Sequence, residues 1–238
     1  MFFNFVMEKL PHGVYFAAAL FNGRECFFNV HLARFLEARF KEVYLPQRDG
    51  FEFSKLTGAL AGFLTQQEAE NAVKHVIYAY DIGRKLHKSE VVVANLDEPL
   101  DPGVDIELAL GAMMYKHIVG FRTDVRACYG TLADRTRGAH FFPVNQCSIF
   151  IPHNMTCKTP EEAECQMESL AERIASHCHL QPVEHYAQLH PKLLQVVEAA
   201  DLLFEGMDDV HSPESLEKIA RRYQKHKDKM LALSPRIG

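Results

Sequence analysis

Between Glu90 and Leu96 the chain reads "EVVVANL", whose Val91 to Ala94 form an unbroken apolar run rather than the in–out alternation of a strand with one wet face. β-Branched residues in such a run suit a strand covered on both sides, as inside a parallel sheet. Parallel neighbours are joined by crossovers, usually helices, so helical sequence is required before and after it. Both are present. Upstream, Thr65 and Glu68 in "TQQE" form a capping-box pattern that opens a long helix through about Lys88, its apolar stripe carried by Ala69, Val73, Val76, Ile77 and Tyr80. Downstream, Pro102 takes the first position of a second helix and Asp101 its N-cap.

The rest of the first two-thirds keeps this alternation. "GVYFAAALF" (Gly13 to Phe21), "EVYLP" (Glu42 to Pro46) and "HIVGF" (His117 to Phe121) are short strand-like runs, and Phe28, Leu32, Phe35 and Leu36 mark a helix between the first two. The pattern predicts an α/β fold: a doubly wound, mostly parallel sheet flanked by helices, of the flavodoxin-like or Rossmann-like kind. After about Met155 only helical patterns remain. Thr159, Pro160 and Glu162 open one helix, and "HPKLLQVVEAADLLFEG" and "SPESLEKIARRYQKHKDKMLAL" read as two more. The expected division is an α/β domain over residues 1–155 and an α-helical C-terminal extension over residues 156–238.

With 238 residues, 47% of them hydrophobic, the chain can bury a substantial core. No apolar run is long enough to span a bilayer, and "MFFNFVMEKLPHG" lacks the basic leader and small-residue cleavage site of a signal peptide. Six cysteines without a C-x-x-C pair read as reduced thiols in a cytoplasmic protein. A formal charge of −5 argues against a nucleic-acid polymer as partner and leaves a small molecule as the expectation. Thirteen histidines, including "HCH" at His177 to His179, show no paired ligand spacing, so no metal is expected. Alanines in "AAALFNGRE" stand where a dinucleotide fingerprint needs glycines, and no cofactor is expected either.

Ligands of doubly wound sheets bind beyond the carboxyl ends of the strands. Those ends here are "AAALFN", "LPQRDG", "NLDEPLD" and "GFRTDVR", and five carboxylates (Asp97, Glu98, Asp101, Asp105, Glu107) crowd the third and the helix after it. Glu107 shares its helical face with Gly103, Val104, Leu110, Gly111 and Met114, where a charge is costly unless paired or used. Asp105 projects about 200° away on the same helix, so only one of the two faces a given pocket, and periodicity leaves the choice open. Capping accounts for Asp101 structurally. Asp81, beside Tyr80 at the edge of an apolar stripe, reads by itself as a solvated edge residue.

The segments "VYFAAALFNGRECFFNVHLARFLEA", "EVYLPQRDG" and "VVVANLDEPLDPGVDIELALG" resemble, in that order, the nucleoside 2-deoxyribosyltransferases, a likeness running from Gly13 to Ile149. In that family an aspartate, a glycine and then a glutamate six positions after the aspartate open an E-x-G-x-A helix, and Asp101, Gly103 and Glu107 fit this spacing. The resemblance implies that Glu107 is the nucleophile, Asp101 its acid partner and Asp105 structural. It further implies a catalytic role for Asp81 in "YAYDIG", and substrate-site roles for Tyr15, which orients the nucleophile, Phe21, Gln47, which contacts the base, and Asn145, which reaches a neighbouring subunit's site. Ala109, Gly111 and Ala17 depart from the family pattern, and some 80 residues follow the point where members usually stop. The implied activity is exchange of the nucleobase of a 2′-deoxynucleoside for a free nucleobase, in a homo-oligomer with shared sites. A related N-glycoside hydrolase of (deoxy)nucleosides or their 5′-monophosphates, and a non-catalytic nucleotide-binding module, are the competing expectations.

Overall fold

The computed structural model describes residues 9–178 and 189–233. The N-terminal run through Glu8, weighed above as a signal peptide, and His179 of "HCH" lie outside the described residues. In chain order the elements are β1 (Leu10–Ala17), α1 (Gly23–Glu37), β2 (Phe40–Tyr44), α2 (Pro46–Asp49), α3 (Phe53–Ala61) and α4 (Gln66–Tyr78). A π-helical stretch (Ala79–Leu86) continues α4 and leads to β3 (Val91–Asn95), α5 (Pro102–Met113) and β4 (His117–Arg122). Then come α6 (Phe141–Val144), β5 (Ile149–Pro152), α7 (Pro160–Ser176), α8 (Pro191–Phe204), α9 (Pro213–Lys225) and α10 (Lys227–Leu231).

The chain forms two compact units: residues 1–48 with 88–186, and residues 49–87 with 187–238. The helical sequence after residue 155 is thus divided between them, α7 in the first and α8 to α10 in the second.

The first unit holds a five-stranded, wholly parallel sheet in the order β2-β1-β3-β4-β5. That is the flavodoxin-like order, so the expected α/β class is present in the structure. "EVVVANL" forms the central β3, with Val91 to Ala94 buried. Side chains alternate along each strand, and Val14, Phe16, Val91, Val93, Val119 and Phe121 point into one core with Leu32 and Leu36 of α1 and Leu170 and Ile174 of α7. Tyr15, Ala17, Val92 and Ala94 therefore face the other way, where α5 packs on β1, β3 and β4. The sequence pattern did not show β5: it is four residues long, at the sheet edge, and follows the short α6.

The sheet's far end is pinned by two polar side chains. Asp97, just after β3, accepts from Thr123 N (2.7 Å), Thr123 Oγ1 (2.5 Å) and Asp124 N (2.7 Å), which joins the ends of β3 and β4. Arg122, 1% exposed, donates to the carbonyls of Arg137 and Arg126 and so ties the excursion after β4 to the sheet. One of the five acids is thereby explained as a structural clamp.

The second unit is helical. The capping box at Thr65 and Glu68 is complete, as the sequence predicts, but the α-helical hydrogen bonding ends at Tyr78 and the chain widens into the π-helical stretch. Gly83 lies on that stretch against α8: a Cβ there would overlap the Val196 carbonyl oxygen and sit 2.9 Å from Ala200 Cβ. Arg84 donates to the carbonyls of Phe204 (2.6 Å) and Met207 (2.8 Å), and Arg222 to those of Leu203 (3.0 Å) and Glu205 (2.9 Å), so two guanidinium groups satisfy the open end of α8. His75 and Tyr223 Oη stand 2.8 Å apart between α4 and α9. The helix α3 carries no side-chain N-cap, which is why its start is silent in the sequence; Leu56 and Leu60, both fully buried, hold it in place.

Candidate active site

The switch in chain direction that defines a doubly wound sheet lies between β1 and β3. The chain leaves β1 for α1 on one face and leaves β3 for α5 on the other, opening a crevice at their carboxyl ends. Tyr15 near the end of β1 and Glu107 in the second turn of α5 meet there: Tyr15 Oη donates to Glu107 Oε1 at 2.6 Å. Ninety-two positions separate them in sequence. The tyrosine is fully buried and its ring lies 5.4 Å from that of Tyr44 on β2, so the hydroxyl is held in place by packing. Glu107 is half-buried. A short bond from a phenol to a carboxylate is the charge-assisted kind, and it holds the carboxylate in one orientation.

Asp101 ends the loop after β3 as the N-cap of α5. Its Oδ1 accepts from Gly103 N (2.8 Å) and Val104 N (3.2 Å), and Pro102 occupies the first turn. The expected cap is present. A Cβ at position 103 would come within 2.7 Å of Asp101 Oδ1, so Gly103 is the residue that lets the carboxylate fold back onto the helix.

The structure separates Asp105 from Glu107, as their helical angle requires. Asp105 is exposed and borders a pocket of about 560 Å³ with Ala109, Tyr129, His140, Phe142 and Gln146. Burial of its carboxyl pushes its pKa above the usual aspartate value; the neighbouring His140 acts in the opposite sense and Asp101 adds to the rise. Glu107 does not line this pocket.

Gln47 follows β2 by three positions and its amide is engaged at both ends. Nε2 donates to the Cys26 carbonyl (2.9 Å), and Oε1 accepts from Asn29 Nδ2 (3.1 Å). Phe21, next to the N-cap of α1 at the end of the loop after β1, is 76% exposed. Asn145 is exposed and closes α6, its backbone N–H bonded to the Phe141 carbonyl at 2.9 Å. Asp81 lies in the second unit, on the π-helical stretch, half-buried. Among the described residues no group of three or more His, Cys, Asp or Glu side chains could hold a metal ion.

Asn29 is the site residue that sequence reasoning missed. It is 1% exposed and lies on the buried face of α1 with Leu32, Ala33 and Leu36. The signal was legible: a polar amide three, four and seven positions from buried apolar residues stands inside the stripe, not beside it.

These features define a parallel α/β protein of flavodoxin-like strand order with a tyrosine–carboxylate pair at its topological switch point. Neither the scan against protein-family models nor the search of curated proteins finds a match to this chain.

Proposed function

We propose that this chain is a nucleoside 2-deoxyribosyltransferase, exchanging the base of a 2′-deoxynucleoside through a covalent deoxyribosyl-glutamate intermediate. The observation that carries the reading is the 2.6 Å bond from Tyr15 to Glu107, a buried donor holding a half-buried carboxylate at the switch point, the place where doubly wound sheets bind ligands. Cleaving a bond from sugar to base develops positive charge on the anomeric carbon. A carboxylate beside that carbon stabilises the charge and then bonds to it as the carbon–nitrogen bond breaks. The electron pair of that bond leaves with the base, which needs a proton or hydrogen bonds on its ring nitrogens; Asp101, at the head of the same helix, is the carboxyl group assigned to it. A second base attacks the adduct from the vacated side, returns its ring N–H proton to Asp101 and regenerates Glu107, with retention at the anomeric carbon. No 2′-oxygen withdraws electrons from the deoxyribosyl cation, which makes this route easier for deoxynucleosides.

The partners of this reading are a deoxynucleoside and a free nucleobase, with no cofactor. Six free thiols agree with a cytoplasmic setting, and among the described residues no helix is long and apolar enough to cross a membrane. The exposed Asn145 is assigned to a neighbouring subunit's site in a homo-oligomer.

The test incubates deoxyinosine with and without free adenine. Exchange requires deoxyadenosine to form only with the acceptor; free deoxyribose released at the same rate in both tubes would make the protein a hydrolase. Glu107→Ala should lower the rate by about 10⁴ or more. A deoxyribosyl mass on Glu107 after reaction with a slow 2′-fluoro substrate checks the covalent step.

A further inference from the structure

Asn29 makes two hydrogen bonds with one nitrogen. Nδ2 donates to the Ala19 carbonyl, just past the end of β1, at 2.8 Å and to Gln47 Oε1 at 3.1 Å. Its other polar atom is stranded: Oδ1 is buried and has no hydrogen-bond partner among the described residues. An orphaned buried acceptor costs about as much as a lost hydrogen bond, and a leucine of the same shape would avoid it. Stability alone therefore does not account for an amide here. What the amide does supply is direction. Ala19 offers only an acceptor, so Nδ2 must face it, and the nitrogen's second hydrogen then demands an oxygen from Gln47. At the other end Cys26 offers only an acceptor, which demands nitrogen from Gln47. A glutamine amide can ordinarily turn over, exchanging donor and acceptor; this one is held in one orientation from both sides. One Nε2 hydrogen and one Oε1 lone pair remain for a ligand.

We propose that Asn29 is a positioning residue that fixes the order in which Gln47 presents its donor and acceptor, and so sets whether the site prefers a base with an amino–imine edge, such as adenine, or one with a lactam edge, such as hypoxanthine. This rests on the deoxyribosyltransferase reading, in which Gln47 contacts the base and the sugar held at Glu107 keeps the base from turning over to suit either order. The two edges carry their donor and acceptor in opposite sequence, so a locked amide distinguishes them and a free one does not.

The experiment measures the ratio of exchange rates with adenine and hypoxanthine for the wild type, Asn29→Leu, Gln47→Ala and the double variant, together with the side-chain amide signals of Gln47 by NMR. Loss of one neutral hydrogen bond corresponds to about a 3- to 10-fold change, so Asn29→Leu should bring the ratio toward one by that factor and broaden the Gln47 signals. In the Gln47→Ala background the same substitution should do nothing more, because Asn29 acts through Gln47. Asn29→Ser, small and polar but unable to reach Gln47, gives the same readout if the leucine variant does not fold. An unchanged ratio in a folded Asn29 variant overturns the proposal, as does an effect that adds in full to that of Gln47→Ala. A wild type that exchanges pyrimidines but neither purine overturns this inference alone; one that exchanges no nucleobase overturns the deoxyribosyltransferase reading with it.

Discussion

Replacing Tyr15 by phenylalanine removes one oxygen from the molecule and little else. The ring is fully buried against Tyr44 and stays where it is, and the 2.6 Å bond to Glu107 Oε1 is lost with the hydroxyl. A hydrogen bond to a charged acceptor contributes about 1.5–3 kcal/mol. If that bond orients the attacking carboxylate, its loss appears in the barrier, and kcat/KM for base exchange should fall about 10- to 150-fold. Stability should respond much less. Glu107 is half-buried, so water can take over from the lost hydroxyl, and a net change near 1 kcal/mol moves the melting temperature of a chain this size by about 2–4 °C. Rates come from chromatographic separation of the product nucleosides, and stability from a thermal melt followed by circular dichroism. Activity and stability should therefore come apart. A variant that melts much lower yet turns over normally would show that the bond is a strut of the fold and that Glu107 is not the reacting group.

Asp105→Asn should keep exchange within about threefold of wild type, far from the loss at Glu107, because the two residues leave α5 on different flanks. Burial raises the Asp105 pKa, so its charged form destabilises the folded state. The asparagine variant should thus melt higher than wild type at pH 7, and the gap should close as pH falls through the raised value toward the ordinary 3.8; a gap that widens on acidification would refute this. Gly83→Ala should cost about 1–3 kcal/mol in urea denaturation, since the new methyl overlaps α8 backbone as well as a side chain. Mixing inactive Glu107→Ala and Asn145→Ala proteins should restore activity toward about a quarter of wild type once subunits exchange in a dimer; mixed assemblies seen by native mass spectrometry without recovered activity would place Asn145 outside the neighbouring site.

Local chemistry was legible from the residue order, because each signal is complete within a few positions. The apolar "EVVVANL" became the central strand, Thr65 with Glu68 and Asp101 with Pro102 opened their helices, and the strand–helix alternation specified a parallel sheet. The angle between Asp105 and Glu107 followed from helix geometry alone, though not which of them met a partner. What depended on distant segments was not legible. The edge strand β5 is too short to carry a pattern, and it exists because β4 offers it hydrogen bonds. The π-helical stretch continues a helix whose sequence shows no break, with Gly83 closely opposed to α8, more than a hundred residues further on. The two compact units each combine segments far apart in the chain, which no single change in composition marks. Tyr15 and Glu107 are 92 positions apart, their pairing implied by the family resemblance and not by spacing, and Asn29 grips Gln47 across 18. A carboxylate and a tyrosine are only residue types until the sheet's switch point brings β1 and α5 together, because hydrogen bonds act over about 3 Å and sequence spacing does not set distances between separate elements.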